Sequence, residues 1–264
     1  MRDRRLVALV CSAALAMLLP VTGLAQDGPA PMSWIYATTV KPGMGAQYAA
    51  AMSKIVEAYN QQKSPVKWTT SVSAVGSTGL YVVSLPMQKL GDIDAWPPPL
   101  EVLTKALGEA EARKVLQSMS GAVQATQNVV MVRRADLSHA PDPAAAQASP
   151  PTLGYVYVTT LKPGGVPQFE AAMKKTAEAF KKEKSPIRWV TSAATVGASG
   201  PTYVSVIPMQ KYADIDGFEG SSPPEVLTKV YGEGEARKIL QAMADSSQGT
   251  ETSIMAVRPD LSRQ

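Results

Sequence analysis

The chain spells one stretch twice. Lys63-Ser64-Pro65-Val66-Lys67-Trp68 returns as Lys184-Ser185-Pro186-Ile187-Arg188-Trp189, and the echo runs far beyond these six residues. Tyr36-Ala37-Thr38-Thr39-Val40-Lys41-Pro42-Gly43 answers to Tyr157-Val158-Thr159-Thr160-Leu161-Lys162-Pro163-Gly164. Pro-Met-Gln-Lys recurs from Pro86 and Pro208, Glu-Val-Leu-Thr-Lys from Glu101 and Glu225, and Arg-x-Asp-Leu-Ser from Arg134 and Arg258. A period this long means one supersecondary unit used twice. The units span 32–138 and 152–262, and the Pro/Ala-rich segment 139–151 between them reads as a linker.

Each unit carries the pattern strand, helix, strand, strand, helix, strand. From Ser33 to Val40, Trp34, Tyr36, Thr38 and Val40 fall on one face and Ile35, Ala37 and Thr39 on the other. Neither face is strongly polar, so both are expected to be covered. Tyr48, Ala51, Met52, Ile55 and Tyr59 repeat at helical spacing, as do Phe169, Ala172, Met173, Thr176 and Phe180. Ser64-Pro65 is expected to end the first helix. A second strand from Val66 to Val75 turns through Gly76-Ser77-Thr78-Gly79 into a third from Leu80 to Leu85. A helical stretch from Leu100, interrupted at Gly108, leads to a last strand over Asn128–Arg133. This order predicts an α+β chain of two ferredoxin-like βαββαβ units. Their antiparallel sheets would pack face to face as a barrel within one chain, an intrachain pseudo-dimer with its helices outside.

The first 25 residues read as a signal peptide. Arg2, Arg4 and Arg5 precede an apolar run from Leu6 to Leu19, and Gly23-Leu24-Ala25 offers a cleavage site before Gln26. The apolar run is shorter than the roughly 20 residues a spanning helix needs. The expected location is periplasmic or secreted, with no membrane association after cleavage. Cys11, the sole cysteine, lies in that leader, which excludes disulfides, thiol chemistry and Cys-based metal sites from the mature chain. The whole chain carries +4. Removing the leader leaves a charge too small, and too evenly interleaved, to indicate a nucleic-acid partner.

A strand with Tyr-x-Thr-Thr-x-Lys-Pro-Gly opening a helix, followed by a Trp-bearing strand and a hairpin, resembles the dimeric α/β-barrel superfamily. That group includes NIPSNAP-type and EthD-like proteins, antibiotic-biosynthesis monooxygenases and haem enzymes of the chlorite dismutase type. The resemblance implies a two-chain dimer made covalent by the duplication and, for the haem members, a protein ligand that is commonly His. The one histidine here, His139, stands at the start of the linker. No haem, metal or other cofactor is therefore expected.

Aromatic residues at matching strand positions remain as candidates for binding a small apolar or aromatic molecule. They are Trp34, Tyr36, Trp68 and Tyr81, with Tyr155, Tyr157, Trp189 and Tyr203 in the second unit. A buried Trp or Tyr serves packing as readily as a ligand, and its polar atom then needs a partner. Asp92 and Asp214 read as helix caps, and Arg113 and Arg237 as surface partners of Glu109 and Glu233. Met87 and Met209 read as flexible filler at a barrel end. Two further roles stay open at this stage. One is a cofactor-independent monooxygenase or isomerase acting on an aromatic or polyketide-like substrate. The other is a structural or interaction protein with a solid core.

Overall fold

The computed structural model describes residues 31–140 and 150–264. The leader 1–25 and most of the linker lie outside them. Eight strands form one closed antiparallel barrel: β1 (Met32–Val40), β2 (Thr69–Val75), β3 (Leu80–Met87), β4 (Val123–Arg133), β5 (Leu153–Leu161), β6 (Val190–Val196), β7 (Thr202–Met209) and β8 (Ser247–Val257). Their order around the ring is β1-β3-β2-β8-β5-β7-β6-β4. Among the described residues six α-helices pack outside: α1 (Gly45–Gln61), α2 (Pro99–Leu107), α3 (Glu109–Ala122), α4 (Val166–Lys182), α5 (Pro223–Tyr231) and α6 (Glu233–Ser246).

Strand alternation builds two layers of core. Ile35, Ala37, Leu80, Val82, Val129 and Met131 point into the barrel and meet Val156, Val158, Val204, Val206 and Met255 from the second half. The barrel interior is thus largely aliphatic, with buried serines such as Ser84 and Ser253 at inward positions. The opposite strand faces, with Trp34, Tyr36 and Val40 on β1, pack under the helices. The strands of both halves line that one interior and join at both edges. β2 pairs with β8 through Ser71–Val257, and β4 pairs with β6 through Arg133–Ser192. Closure leaves no strand edge with unpaired backbone groups.

Each half also reaches onto the other by its tail. Trp68 Nε1 donates to the Leu261 carbonyl at 2.8 Å, and Trp189 Nε1 donates to the Leu137 carbonyl at 2.9 Å. Thr70 N–H donates to Ser262 Oγ, and Thr191 N–H donates to Ser138 Oγ. The repeated Arg-x-Asp-Leu-Ser is therefore a strap that closes over the Trp-bearing strand of the other half.

Element ends differ from the sequence pattern in several places, among them β3, which runs through Pro86 to Met87 instead of ending at Leu85. The helix preceding Ser64 stops at Gln61, because the chain turns through Lys63 at φ 49° and Ser64 N–H reaches back to the Tyr59 carbonyl. The second strand begins at Thr69 rather than Val66, since Trp68 bridges Arg263 of the strap instead of a neighbouring strand. β4 begins at Val123, five residues before the apolar run at Asn128, because its first part alternates half-buried and exposed positions and carries no hydrophobic signal. The break between α2 and α3 falls at Gly108, as expected, and its φ of 81° explains the residue.

Candidate functional site

Between the outer face of the second-half sheet and helices α4 and α6 lies a cavity of about 730 Å³. β5 supplies Tyr157 and Thr159 to its wall, α4 supplies Phe169, Met173, Thr176 and Phe180, and β7 supplies Ser205 and Ile207. Trp189, Phe218, Leu240, Met243 and the start of β8 from Ser247 to Thr250 complete it. No lining residue is Asp, Glu, Lys, Arg or His. The wall is apolar and aromatic with scattered hydroxyls, a composition suited to a small organic molecule.

Most of those hydroxyls are committed. Thr176 Oγ1 donates to the Ala172 carbonyl at 3.0 Å, and Ser205 Oγ pairs with Thr191 Oγ1 at 2.8 Å. Thr159 and Thr250 pair with each other at 3.2 Å. The Trp189 N–H is held by Leu137, so the indole serves this wall as an apolar surface. Tyr157 is the one titratable lining group. Burial first, and then the neighbouring Tyr155, push its pKa up to about 12, so at neutral pH it is a hydrogen-bond donor and not a base.

Of the eight aromatic candidates, Tyr157 and Trp189 line the cavity. Tyr155 stands beside Tyr157 with ring centroids 5.0 Å apart. Tyr203 faces Phe169 at 4.9 Å and donates from its hydroxyl to Glu170 Oε1 at 2.6 Å. The first-half candidates are packed among themselves and their neighbours. Trp34 lies 5.9 Å from Tyr36 and 6.4 Å from Trp96, Trp68 lies edge-on to Tyr59 at 5.2 Å, and Tyr81 meets Tyr48 at 4.7 Å.

The residues that open the cavity are ones the aromatic pattern misses. Ser205 opposes Tyr157 on β7, where Val83 opposes Tyr36 in the first half. Thr176 stands where the first half has Ile55, Phe218 where it has Trp96, and Gly249 where it has Ala125. The larger first-half residues Ile55, Val83 and Trp96 belong to one packed cluster with Tyr36, Tyr59 and Trp68. Reading the two copies for differences in side-chain size, instead of for shared aromatics, exposes this signal.

His139 does not behave as free linker. Its backbone exchanges hydrogen bonds with Trp189, and its ring packs 5.5 Å from that indole and 6.2 Å from Phe180, beside Arg188. Burial lowers its pKa. Met209 lies with Leu153 and Ile254 against Ile215 and Phe218, so it fills the space under the 3₁₀ turn rather than the barrel interior. Asp92 and Asp214 each accept two backbone N–H groups at the start of such a turn, and Glu109–Arg113 and Glu233–Arg237 pair on the surface. Among the described residues no cluster of His, Cys, Asp or Glu could hold a metal ion, and no helix is long and apolar enough to cross a membrane.

A second asymmetry lies next to Tyr203. Arg134 of the first-half strap contacts Asp136 and Glu170, its Nη2 reaching Glu170 Oε2 at 2.9 Å, and Lys174 lies 3.1 Å from Asp136. The first half has Ala49 and Ser53 at the places of Glu170 and Lys174. The Arg134 guanidinium holds the carboxyls of Glu170 and Asp136 below the usual range. A depressed folded-state pKa adds stability above the unfolded value of about 4 and loses it as pH falls through the folded value. Glu170→Ala should therefore cost about 1 kcal/mol at pH 7 for this partly exposed network. The cost should shrink towards pH 3, and thermal melts of both proteins across that range check it.

The sequence matches no protein-family model and no curated protein sequence. Solved structures share the fold. An anthrone oxidase-like protein superposes with a TM-score of 0.53 at 12% identity, over 86% of this chain and 91% of its own. A monooxygenase-like protein of Lactobacillus acidophilus NCFM gives 0.49 at 8% identity, over 86% and 94%. A mutant chlorite dismutase of Candidatus Nitrospira defluvii gives 0.49 at 8% identity, over 88% and 94%. The closed eight-stranded antiparallel barrel with helices outside is a fold shared with the anthrone oxidase-like protein. At these identities the likeness is one of fold alone.

Proposed function

We propose that the chain is an exported protein that binds one small, largely apolar or aromatic molecule in its second half. The first half serves as the fixed wall against which that half closes. The observation that carries this reading is the cavity of about 730 Å³ with no charged residue in its lining. Two ferredoxin-like units produced by tandem duplication are part of the proposal. They are supported by the matching β4-β1-β3-β2 and β8-β5-β7-β6 orders and by the repeated motifs. Export to the periplasm or beyond rests on the basic, apolar and small-residue succession of 1–25.

A cofactor-independent oxygenase acting on an aromatic or polyketide-like substrate is favoured by less. The fold it shares with an anthrone oxidase-like protein specifies no activity. The cavity wall also supplies no carboxylate or imidazole to take a proton. Native mass spectrometry of the mature protein purified from its own host tests the proposal. One small molecule per chain, released on denaturation, is the expected spectrum. A bare chain that also takes up no aromatic probe would overturn it. Oxygen uptake with phenolic compounds would move the assignment to the enzyme.

A further inference from the structure

Resting on that binding role, we infer that the cavity selects neutral molecules bearing one hydrogen-bond acceptor, which Tyr157 reads, and rejects carboxylates. Charge is the first argument. A carboxylate entering this space would leave water for a wall without a cation, and an unpaired buried charge is far costlier than an unpaired neutral group. The committed hydroxyls are the second. Thr176, Ser205 and the Thr159–Thr250 pair already have partners, and the Trp189 N–H is spent on the strap carbonyl. Tyr157 is left as the donor in the sheet wall, while Ser221, Ser247 and Gln248 line the cavity from the loop before α5 and the start of β8. The Tyr157 hydroxyl interacts with another phenol, Tyr155, and exchanging that contact for a ligand carbonyl strands no carboxylate. Its first-half counterpart Tyr36 packs against Trp34 and a cluster with the larger Ile55, Val83 and Trp96, so the reading is made for the second-half cavity.

Three naphthalenes of similar shape separate the contributions: 2-acetylnaphthalene with an acceptor, 2-ethylnaphthalene without one, and 2-naphthoate with a charge. Calorimetric titration of the mature chain at pH 7 should give one site per chain. The ketone should bind at least tenfold more tightly than the naphthoate. Tyr157→Phe should weaken the ketone about tenfold and leave the ethyl compound within about twofold. Thr250→Lys, at the exposed rim, should raise naphthoate affinity several-fold and narrow the gap between ketone and naphthoate. Equal affinity for ketone and naphthoate, or equal losses for ketone and ethyl compound in Tyr157→Phe, would overturn the inference while leaving the binding role intact. If none of the three binds, the binding role itself fails.

Discussion

The triple variant Thr176→Ile, Ser205→Val, Gly249→Ala is expected to keep the fold and lose ligand binding by at least 100-fold. Each change writes the first-half residue into the second half, where Ile55, Val83 and Ala125 stand at the same places. The fold should tolerate all three for separate reasons. The Thr176 hydroxyl only returns to its own helix at Ala172, so isoleucine strands no partner. Ser205 shares its hydroxyl with Thr191, which keeps a second bond to the Leu137 carbonyl, and valine suits a strand. A Cβ built at Gly249 meets nothing within 4 Å, so alanine extends only into the opening. The added methyl and methylene groups occupy the space the ligand needs, and forcing extra groups into a filled site costs roughly 1–3 kcal/mol each time. Summed over three sites, that exceeds the 2.7 kcal/mol equivalent to 100-fold. Titration with 2-acetylnaphthalene, beside a thermal melt, checks both halves of the expectation. Undiminished binding in a folded variant would move the ligand out of this cavity.

The architecture was legible because its signals are local and doubled. Alternation in Ser33–Val40 assigns Ile35 and Ala37 to one layer and Trp34 and Tyr36 to the other, and the structure uses both faces as predicted. The stripe of Tyr48, Met52, Ile55 and Tyr59 places α1 on the sheet. The straps were not legible. Leu261 reaches Trp68 across 193 residues, and no periodicity encodes a contact at that separation. The site was half legible. Tyr157 and Trp189 stand out by residue type, but their twins Tyr36 and Trp68 have the same chemistry and pack with larger neighbours, Ile55, Val83 and Trp96. A cavity arises from what neighbours lack, and small residues such as Ser205 and Gly249 announce nothing by themselves. They acquire meaning only opposite Val83 and Ala125 in the other copy.

Residues 31–140 expressed alone should give no folded monomer, only a homodimer or insoluble chain. Cutting the barrel exposes the first-half share of its interior, in which Ile35 and Met131 are 0% exposed and Val82 is 1% exposed. At about 1.5–3 kcal/mol for each large aliphatic side chain, Ile35, Leu80, Val82, Val129 and Met131 together lose on the order of 10 kcal/mol. A domain's whole stability is about that size. The cut also removes Leu261 and Ser262, leaving Trp68 Nε1, Thr70 Oγ1 and Thr70 N–H without their acceptors in a buried site. Association offsets both losses. The first half ends in its own Arg134-Ala135-Asp136-Leu137-Ser138, the same Arg-x-Asp-Leu-Ser as the strap it has lost, so two copies can each close over the other's Trp68. Light scattering on the eluted half-chain distinguishes monomer from dimer. Leu137→Asp in the half-chain, which spoils only the strap, should then eliminate the dimer. A cooperatively melting, soluble monomer would show that neither the shared interior nor the exchanged straps hold the two halves together. Trp189, which lines the cavity and is held by the Leu137 carbonyl of the other half, would then have no fixed partner.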